Sequence, residues 1–347
     1  MKYSIIVPVY NRPDEVDELL LSLTQQTRKH FEVIVVEDGS SITCEEVCKK
    51  YAGQLDIHYY LKGNSGPGQS RNYGAERAQG EYLIILDSDV VLPTGYIESL
   101  DMELEAHPCD AFGGPDRAHD SFTDTQKAIS YSMTSFLTTG GIRGGQKKLD
   151  KFYPRSFNMG IRRDVYERLG GFSKMRFGED IDFSLRIFKE GYQCRLFPTS
   201  WVWHKRRTDF SKFFRQVFNS GIARINLQKR HPGSLKLVHL LPSIFTVGVC
   251  VLVLISAIGR NFMYYDPAHF RQWYLVCAIP WLPILAFCII IFIDASIRYK
   301  SLKIGFLSIA ASFIQLFGYG SGFISAWWKR CVLGKDEFQA FEKTFYK

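Results

Sequence analysis

The chain has 347 residues, 46% of them hydrophobic and 15% aromatic, and a formal charge of +8; that length suggests a globular part plus something else. The positive excess is local, with Lys205, Arg206, Arg207, Lys212, Arg215, Arg224, Lys229, Arg230 and Lys236 standing against Asp209 alone between His204 and Lys236. Because that stretch directly precedes a long apolar run, anionic headgroups rather than nucleic acid are its expected partner.

In chain order, Ser4 to Val9 reads as a buried strand and Asn11-Arg12-Pro13-Asp14 as a turn that starts a helix. That helix runs to about Gln26, with Val16, Leu19, Leu20 and Leu23 on one face. Phe31 to Val36 is a second strand, ending on Glu37-Asp38-Gly39-Ser40, so a right-handed βαβ unit opens the chain. The glycine fingerprint of a dinucleotide fold is missing after the first strand. Tyr10 instead offers a ring to a nucleobase and Asp38 an acceptor to base or ribose, although, taken singly, core packing and turn formation are the plainer readings of the two.

A helix over Cys44–Tyr51 and a strand over Asp56–Leu61 lead to Gly63-Asn64-Ser65-Gly66-Pro67-Gly68, with Pro67 placed for the first turn of a helix to Ala78. Arg71 and Asn72 near its start are within reach of a bound anion. The apolar run Tyr82-Leu83-Ile84-Ile85-Leu86 then stops on Asp87-Ser88-Asp89. In extended chain residues two apart share a face, so both carboxylates would project from the carboxyl end of a central strand, where open α/β sheets bind ligands. Two hard oxygen ligands there suit Mg²⁺ or Mn²⁺ held together with a diphosphate; an acidic turn is the plainer alternative.

A helix from Thr94 to Ala106 and a strand near Cys109–Gly113 follow. Residues 115–151 show little periodicity and read as a long binding loop for an acceptor. Asn158 lies in a strand-like stretch before a short helix at 163–169 and Gly170-Gly171-Phe172. Glu179, Asp180 and Asp182 open another helix, where the dipole favours acids whether or not one serves as a base, and Asp182 is spaced to pair with Arg186. A last strand pair, 193–197 and 200–203, ends at His204. Eight scattered cysteines with no zinc spacing imply thiols in a reducing compartment, and the N-terminal apolar run is too short for a signal peptide, so the soluble part is expected in the cytoplasm.

Over residues 2–205 the order Val7-Pro8-Val9-Tyr10-Asn11, Glu37-Asp38-Gly39-Ser40, Arg71-Asn72-Tyr73-Gly74, Asp87-Ser88-Asp89, Asn158-Met159 with Gly170-Gly171-Phe172, and Gly178-Glu179-Asp180 resembles family 2 glycosyltransferases of the GT-A fold. The resemblance implies an α/β nucleotide-diphospho-sugar transferase domain. Pro8, Tyr10, Asp38 and Arg71 would hold the base, with Asn158 also in the nucleotide-sugar site. Asp87 would contact the ribose and Asp89 the divalent metal, with His204 near where relatives place a phosphate- or metal-contacting histidine. Asp180 would be the general base and Glu179 its neighbour positioning the acceptor. The implied reaction is an inverting transfer from a nucleoside diphosphate sugar, most simply UDP-linked.

Residues 208–230 place Phe210, Phe213, Phe214, Val217, Phe218, Ile222 and Ile225 along one helical face; a core-facing helix is the plain alternative, but the apolar runs that follow favour a helix lying in the membrane interface, so 206–236 reads as a basic interface segment. Runs at 237–258, 273–293 and 304–328 carry no Asp, Glu, Lys or Arg and are long enough to span a bilayer. Pro280 and Pro283 should kink the second, and Gly318, Gly320 and Gly322 give the third a small-residue packing face. Three spans would leave the 329–347 tail outside, yet Lys329 and Arg330 favour the inside as much as Arg298, Lys300 and Lys303 do, so a re-entrant segment fits too. The arrangement is similar to membrane-anchored exopolysaccharide glycosyltransferases of the succinoglycan type, with a lipid-linked acceptor, and the Gln-x-x-Arg-Trp of processive synthases is not found. Competing readings are a polyprenyl-phosphate glycosyltransferase, a haloacid-dehalogenase-like phosphatase with Asp87 as nucleophile, and a non-catalytic membrane scaffold.

Overall fold

The computed structural model describes residues 2–119, 121–139, 152–175, 177–205, 207–338 and 340. They fall into two compact units. The first is built from residues up to 121 and from 152 to 205; the second takes residues 122–139 together with everything after 206.

In the first unit β1 (Tyr3–Val9), α1 (Pro13–Thr24), β2 (Phe31–Asp38), α2 (Glu45–Tyr51), β3 (Ile57–Lys62), α3 (Pro67–Ala75), β4 (Tyr82–Leu86), β5 (Val90–Val91), α4 (Tyr96–Ala106), β6 (Ala111–Gly113) and β7 (Asp116–Arg117) run up to the segment that leaves for the second unit. That segment holds α5 (Asp124–Thr134) and α6 (Phe136–Thr139). The chain returns as β8 (Asn158–Arg162), α7 (Arg163–Arg168), α8 (Glu179–Lys189), β9 (Cys194–Leu196) and β10 (Val202–His204).

Seven strands form one sheet in the order β3-β2-β1-β4-β8-β6-β9. All are parallel except β8, which runs antiparallel to both β4 and β6. Strands β1, β2 and β4 are continuous apolar runs because helices cover both faces. One face packs Ile5, Val7, Val33, Val35, Ile84 and Leu86 against α1 and α4; the other packs Ile6, Ile34, Ile85 and Met159 against α3 and α8 residues such as Ala75 and Phe183. The carboxyl ends of β1, β2 and β4 therefore open along one edge, and the antiparallel register Leu86↔Asn158 brings the start of β8 to that same edge.

A second, three-stranded sheet has the order β5-β10-β7. The last two strands of this unit do not pair with each other: β9 adds to β6 at the edge of the large sheet, while β10 sits between β5 and β7. The 115–151 stretch is also not wholly a loop. Thr123 caps α5 through a reciprocal capping box with Gln126, a T-x-x-Q signature that stands in the sequence. Residues 140–151 lie outside the described residues.

In the second unit α9 (Phe210–Arg230) is followed by α10 (Leu241–Tyr265), α11 (Phe270–Ala278), α12 (Leu282–Tyr299) and α13 (Leu302–Trp327), with a π-helical turn over Trp328–Val332. A 3₁₀ turn at Ile279–Trp281 separates α11 from α12, at the prolines expected to interrupt this run. Three helical stretches, Leu241–Tyr265, Pro267–Tyr299 and Leu302–Val332, are long and apolar enough to cross a membrane.

The apolar face of α9, expected against lipid, is covered by protein instead. Phe213, Val217, Ile222, Ile225 and Leu227 are buried, and the neighbour is α13, because glycines let the two backbones approach. A Cβ on Gly322 would stand 2.0 Å from the Phe218 carbonyl oxygen, and one on Gly221 2.2 Å from that of Tyr319. Gly320 serves a different neighbour, the Pro242 carbonyl of α10.

Candidate active site

The edge where β1, β2 and β4 end gathers most of the residues singled out in the sequence. The strand geometry of β4 stops at Leu86, and Asp87-Ser88-Asp89 forms a turn into β5 rather than an extension of the strand. The two carboxylates still come together, by a different cause. β10 pairs antiparallel with β5 in the register His204↔Val90, and the Lys205 amide donates to the Asp89 carbonyl at 3.0 Å. The turn and the imidazole are thereby fixed side by side. Asp87, Asp89 and His204 each offer a ligand atom, all within 4.8 Å of one another.

His204 Nε2 faces Asp89 Oδ1 at 3.2 Å, its ring stacks on Phe157 at 4.7 Å, and its Nδ1 is buried without a hydrogen-bond partner. Two carboxylates and an imidazole crowded this closely form a set of donors that a cation would hold together. Two carboxylates and one imidazole fit a divalent ion of the Mg²⁺ to Mn²⁺ group, and the nitrogen donor favours the less strictly oxygen-seeking Mn²⁺.

Arg71 occupies the centre of the constellation but is not a free anion ligand. Its guanidinium is 3% exposed and donates to Asp87 Oδ1 at 2.8 Å and to Glu179 Oε1 at 3.0 Å, with its charge 5.2 Å from the Phe172 ring centroid. One buried cation thus joins the end of β4 to the start of α8. Its own pKa is lifted despite burial, by the two carboxylates. Burial pushes the Glu179 carboxyl up to about 7; Arg71 pulls against that shift, and the Asp180 charge adds to it.

Asp180 stands differently. Its Oδ1 accepts from the Ile181 amide at 2.8 Å and its Oδ2 faces Arg155 Nη1 at 3.4 Å. Gly178, with φ of 84°, turns the chain into α8 and sets the two acids in its first turn. Arg155 was not singled out in the sequence, where a lone arginine in a loop carries no signal.

Several motif residues build the edge rather than face into it. Asp38 is 4% exposed and its carboxylate is taken up by Lys62 and by the amides of Ser65 and Gly66, both at 2.9 Å. It therefore shapes the 63–68 loop. Asn11, at φ of 54°, accepts from the Ser41 and Ile42 amides at 2.8 and 3.0 Å and ties the end of β1 to that of β2. Asn72, expected near an anion, instead pins the Gly170-Gly171-Phe172 turn: its Oδ1 accepts from Tyr166 Oη at 2.6 Å and the Phe172 amide at 2.8 Å, and its Nδ2 donates to the Phe172 carbonyl. Arg186 binds the same turn through the Leu169 and Gly171 carbonyls in addition to its helical partner Asp182. The expected pair is only one arm of that clamp.

Asn158, expected in the nucleotide-sugar site, stands at the start of β8 and is 1% exposed; its Oδ1 accepts from Tyr96 Oη at 2.6 Å and its Nδ2 donates to the Ser200 carbonyl at 2.8 Å, so its amide ties β8 to α4 and to the 197–201 turn beneath the edge. Pro8 and Tyr10, at and just beyond the end of β1, are part-exposed on the open edge.

The family comparisons agree with this architecture. Residues 4–170 match the profile described as Glycosyl transferase family 2. A relative from Haemophilus influenzae, described as an uncharacterized glycosyltransferase, is 32% identical over 221 residues, covering 60% of this chain and 70% of the relative. A glycosyltransferase of Rickettsia bellii is 41% identical over 88 residues, 25% of this chain, and the chain spans only 13% of that relative's length. Among solved structures, a mannosyltransferase of Pyrobaculum calidifontis in complex with GDP-Man and Mn²⁺ superposes with a TM-score of 0.56 at 17% identity, covering 96% of this chain and 88% of that one, a likeness of fold. The dehalogenase-like reading of Asp87 falls with these matches. A GT-A-type α/β unit carrying a D-x-D turn, followed by apolar helices long enough to span a membrane, is the architecture of this chain, and the chain belongs to glycosyltransferase family 2.

Proposed function

We propose that the chain is an inverting, metal-dependent glycosyltransferase that moves a sugar from a nucleoside diphosphate sugar, UDP-linked, to a lipid-linked acceptor in cell-surface polysaccharide assembly. The observation that carries the reading is the convergence of Asp87, Asp89 and His204 within 4.8 Å on the same sheet edge, with Arg71 linking Asp87 to Glu179. The apolar helices of the second unit support a membrane context; on this reading the enzyme sits in an inner or plasma membrane with its catalytic unit cytoplasmic.

In this mechanism Asp87, Asp89 and His204 hold Mn²⁺ or Mg²⁺, which when bound neutralises charge on the leaving diphosphate. Tyr10 and Pro8 border the nucleotide at the end of β1, while Asp38 and Lys62 keep the 63–68 loop in shape beside it. Asp180 takes the proton of the acceptor hydroxyl as its oxygen attacks the anomeric carbon, so the sugar inverts in one displacement with no covalent enzyme intermediate. Arg155, 3.4 Å from Asp180 Oδ2, orients that carboxylate. Glu179, locked by Arg71, positions rather than reacts.

The test is nucleotide release by the detergent-solubilised protein with Mn²⁺ or Mg²⁺ across a panel of nucleoside diphosphate sugars and a lipid extract. Metal-dependent release with one donor, increased by lipid, is expected. Metal-dependent donor binding without release under any acceptor would refute transfer to a lipid-linked acceptor, and absence of donor binding would support a scaffold.

A further inference from the structure

Of the three helices apolar enough to cross a bilayer, α13 is the one most covered by protein: 39% of its most apolar window is buried, against 11% for α10 and 6% for α11–α12. Besides its neighbours α10 and α12, two helices from elsewhere in the chain cover it. Ala128, Ile129 and Met133 of α5 cluster with Ile304 and Ala311. Further on, α9 runs parallel to it: Val217 meets Gly318, Phe218 meets Gly322, Gly221 meets Tyr319 and Phe323, and Asn226 bonds Arg330.

α9 carries Lys212, Arg215, Arg224, Lys229 and Arg230 in 21 residues, and each charge held near the centre of a membrane helix opposes insertion. Such a helix does not cross a bilayer. A partner lying parallel and backbone-close to it for most of its length does not cross there either.

The other two apolar stretches behave as a pair. α10 and α11–α12 are antiparallel along their length, through Phe245 with Phe287, Trp281 Nε1 donating to Ser256 Oγ at 2.9 Å, Gly259 against Cys277, and Phe262 stacked on Trp273 at 4.5 Å. α13 engages this hairpin at the end where α10 starts and α12 finishes: Gly305 and Phe306 meet Phe292, Ile309 packs with Ile291 and Ala295, Phe313 meets Phe287 and Phe245, Phe317 meets Phe245, Thr246 Oγ1 donates to the Leu316 carbonyl, and Gly320 meets Pro242.

We infer that the chain crosses the membrane twice, through α10 and α11–α12, and that α13 lies with α9 and α5 on the membrane surface from which the hairpin starts. Its outer face, with Phe306, Trp327 and Trp328 63%, 48% and 52% exposed, rests at the headgroup and acyl boundary, where tryptophan is favoured. The segment after α13 then lies on the same side as α9. It is bonded there: Asn219 exchanges hydrogen bonds with the Ala340 amide (2.9 Å) and carbonyl (3.0 Å), and Arg230 pairs with Glu337 at 2.8 Å. This topology also reconciles the charges. Arg298, Lys300 and Lys303 before α13 and Lys329 and Arg330 after it fall on one side with two crossings and on opposite sides with three.

The experiment uses the full chain expressed in bacterial membranes. Alkaline phosphatase, active only outside, is fused after Lys347 or inserted after Ala268, and a fluorescent protein that matures only inside is fused after Lys347. Fluorescence and an inactive phosphatase after Lys347, with an active one after Ala268, are expected. An active phosphatase after Lys347, or an inactive one after Ala268, overturns the inference. Should a fusion block insertion, Lys335→Cys, Lys212→Cys and Ala268→Cys are probed with an impermeant maleimide in oriented vesicles, with the exposed Cys250 and Cys331 replaced by serine. Lys335→Cys and Lys212→Cys are expected to label from one face and Ala268→Cys from the other. Labelling of Lys335→Cys from the Ala268 face alone overturns it equally.

Discussion

At the scale of single residues, the neighbouring acids Glu179 and Asp180 are separated by their surroundings. Replacing Asp180 with Asn keeps the shape and the Ile181 contact while removing the base, so turnover should fall by about 10²–10⁴-fold, the usual contribution of a general base. Donor binding, read by calorimetry, should stay within a few-fold of the parent; unchanged turnover would remove Asp180 from the mechanism. Asp89→Ala should instead weaken Mn²⁺-dependent donor binding, and a variant with parental metal affinity would sink the metal assignment. Arg71 sits between two carboxylates, so Arg71→Met strands both and should cost about 3–5 kcal/mol of stability, the typical penalty for breaking a buried ion pair.

The Glu179 carboxyl, ordinarily near 4.5 and here about 7, holds its proton more tightly folded than unfolded. Its contribution to stability is therefore full below pH 4.5 and is lost as the pH rises through 7. Thermal melts across that window should show the parent losing more stability than Glu179→Gln. Parallel curves would mean that Arg71 keeps Glu179 ionised throughout.

At the scale of elements, the small-residue seam between α9 and α13 makes a sharp demand. A side chain at Gly322 would stand against the Phe218 backbone, and helices cannot separate without uncovering Phe213, Val217 and Ile222. Gly322→Val should therefore cost about 1–3 kcal/mol through overpacking, measured as a lower melting temperature in detergent. The same substitution at Gly248, where a Cβ meets nothing within 4 Å, should be nearly silent. In the catalytic unit the corresponding joint is the Gly170-Gly171-Phe172 turn. It is gripped by Asn72 from α3 and Arg186 from α8, so motif pieces far apart in sequence prove to be the two halves of one clamp.

For the molecule as a whole, the expectation is integral membrane association, since α10 and α11–α12 bury little of their apolar surface in protein. The full chain should remain in the membrane pellet after an alkaline carbonate wash. Recovery in the supernatant would show that these helices do not enter a bilayer.

The sequence by itself determined the elements whose signals are local. Continuous apolar runs specified β1, β2 and β4, helical periodicity specified α1, acids in a first turn marked the start of α8, and uncharged stretches longer than a bilayer's thickness specified the apolar helices. The order of motif pieces was enough to reach the family. What only the tertiary structure decided depends on partners distant in the chain. Asp87 and Asp89 share a site with His204 because β10 pairs with β5, a register that no local pattern encodes. Asn158 and Asn72 stand in motif pieces, and only the fold shows that their amides bond Tyr96, Ser200, Tyr166 and Phe172. An amphipathic stripe shows that the α9 face must be covered, but not by what; glycines one hundred residues later let α13 supply the cover instead of lipid. Periodicity reports which face of a helix is apolar, and only packing reports what lies against it.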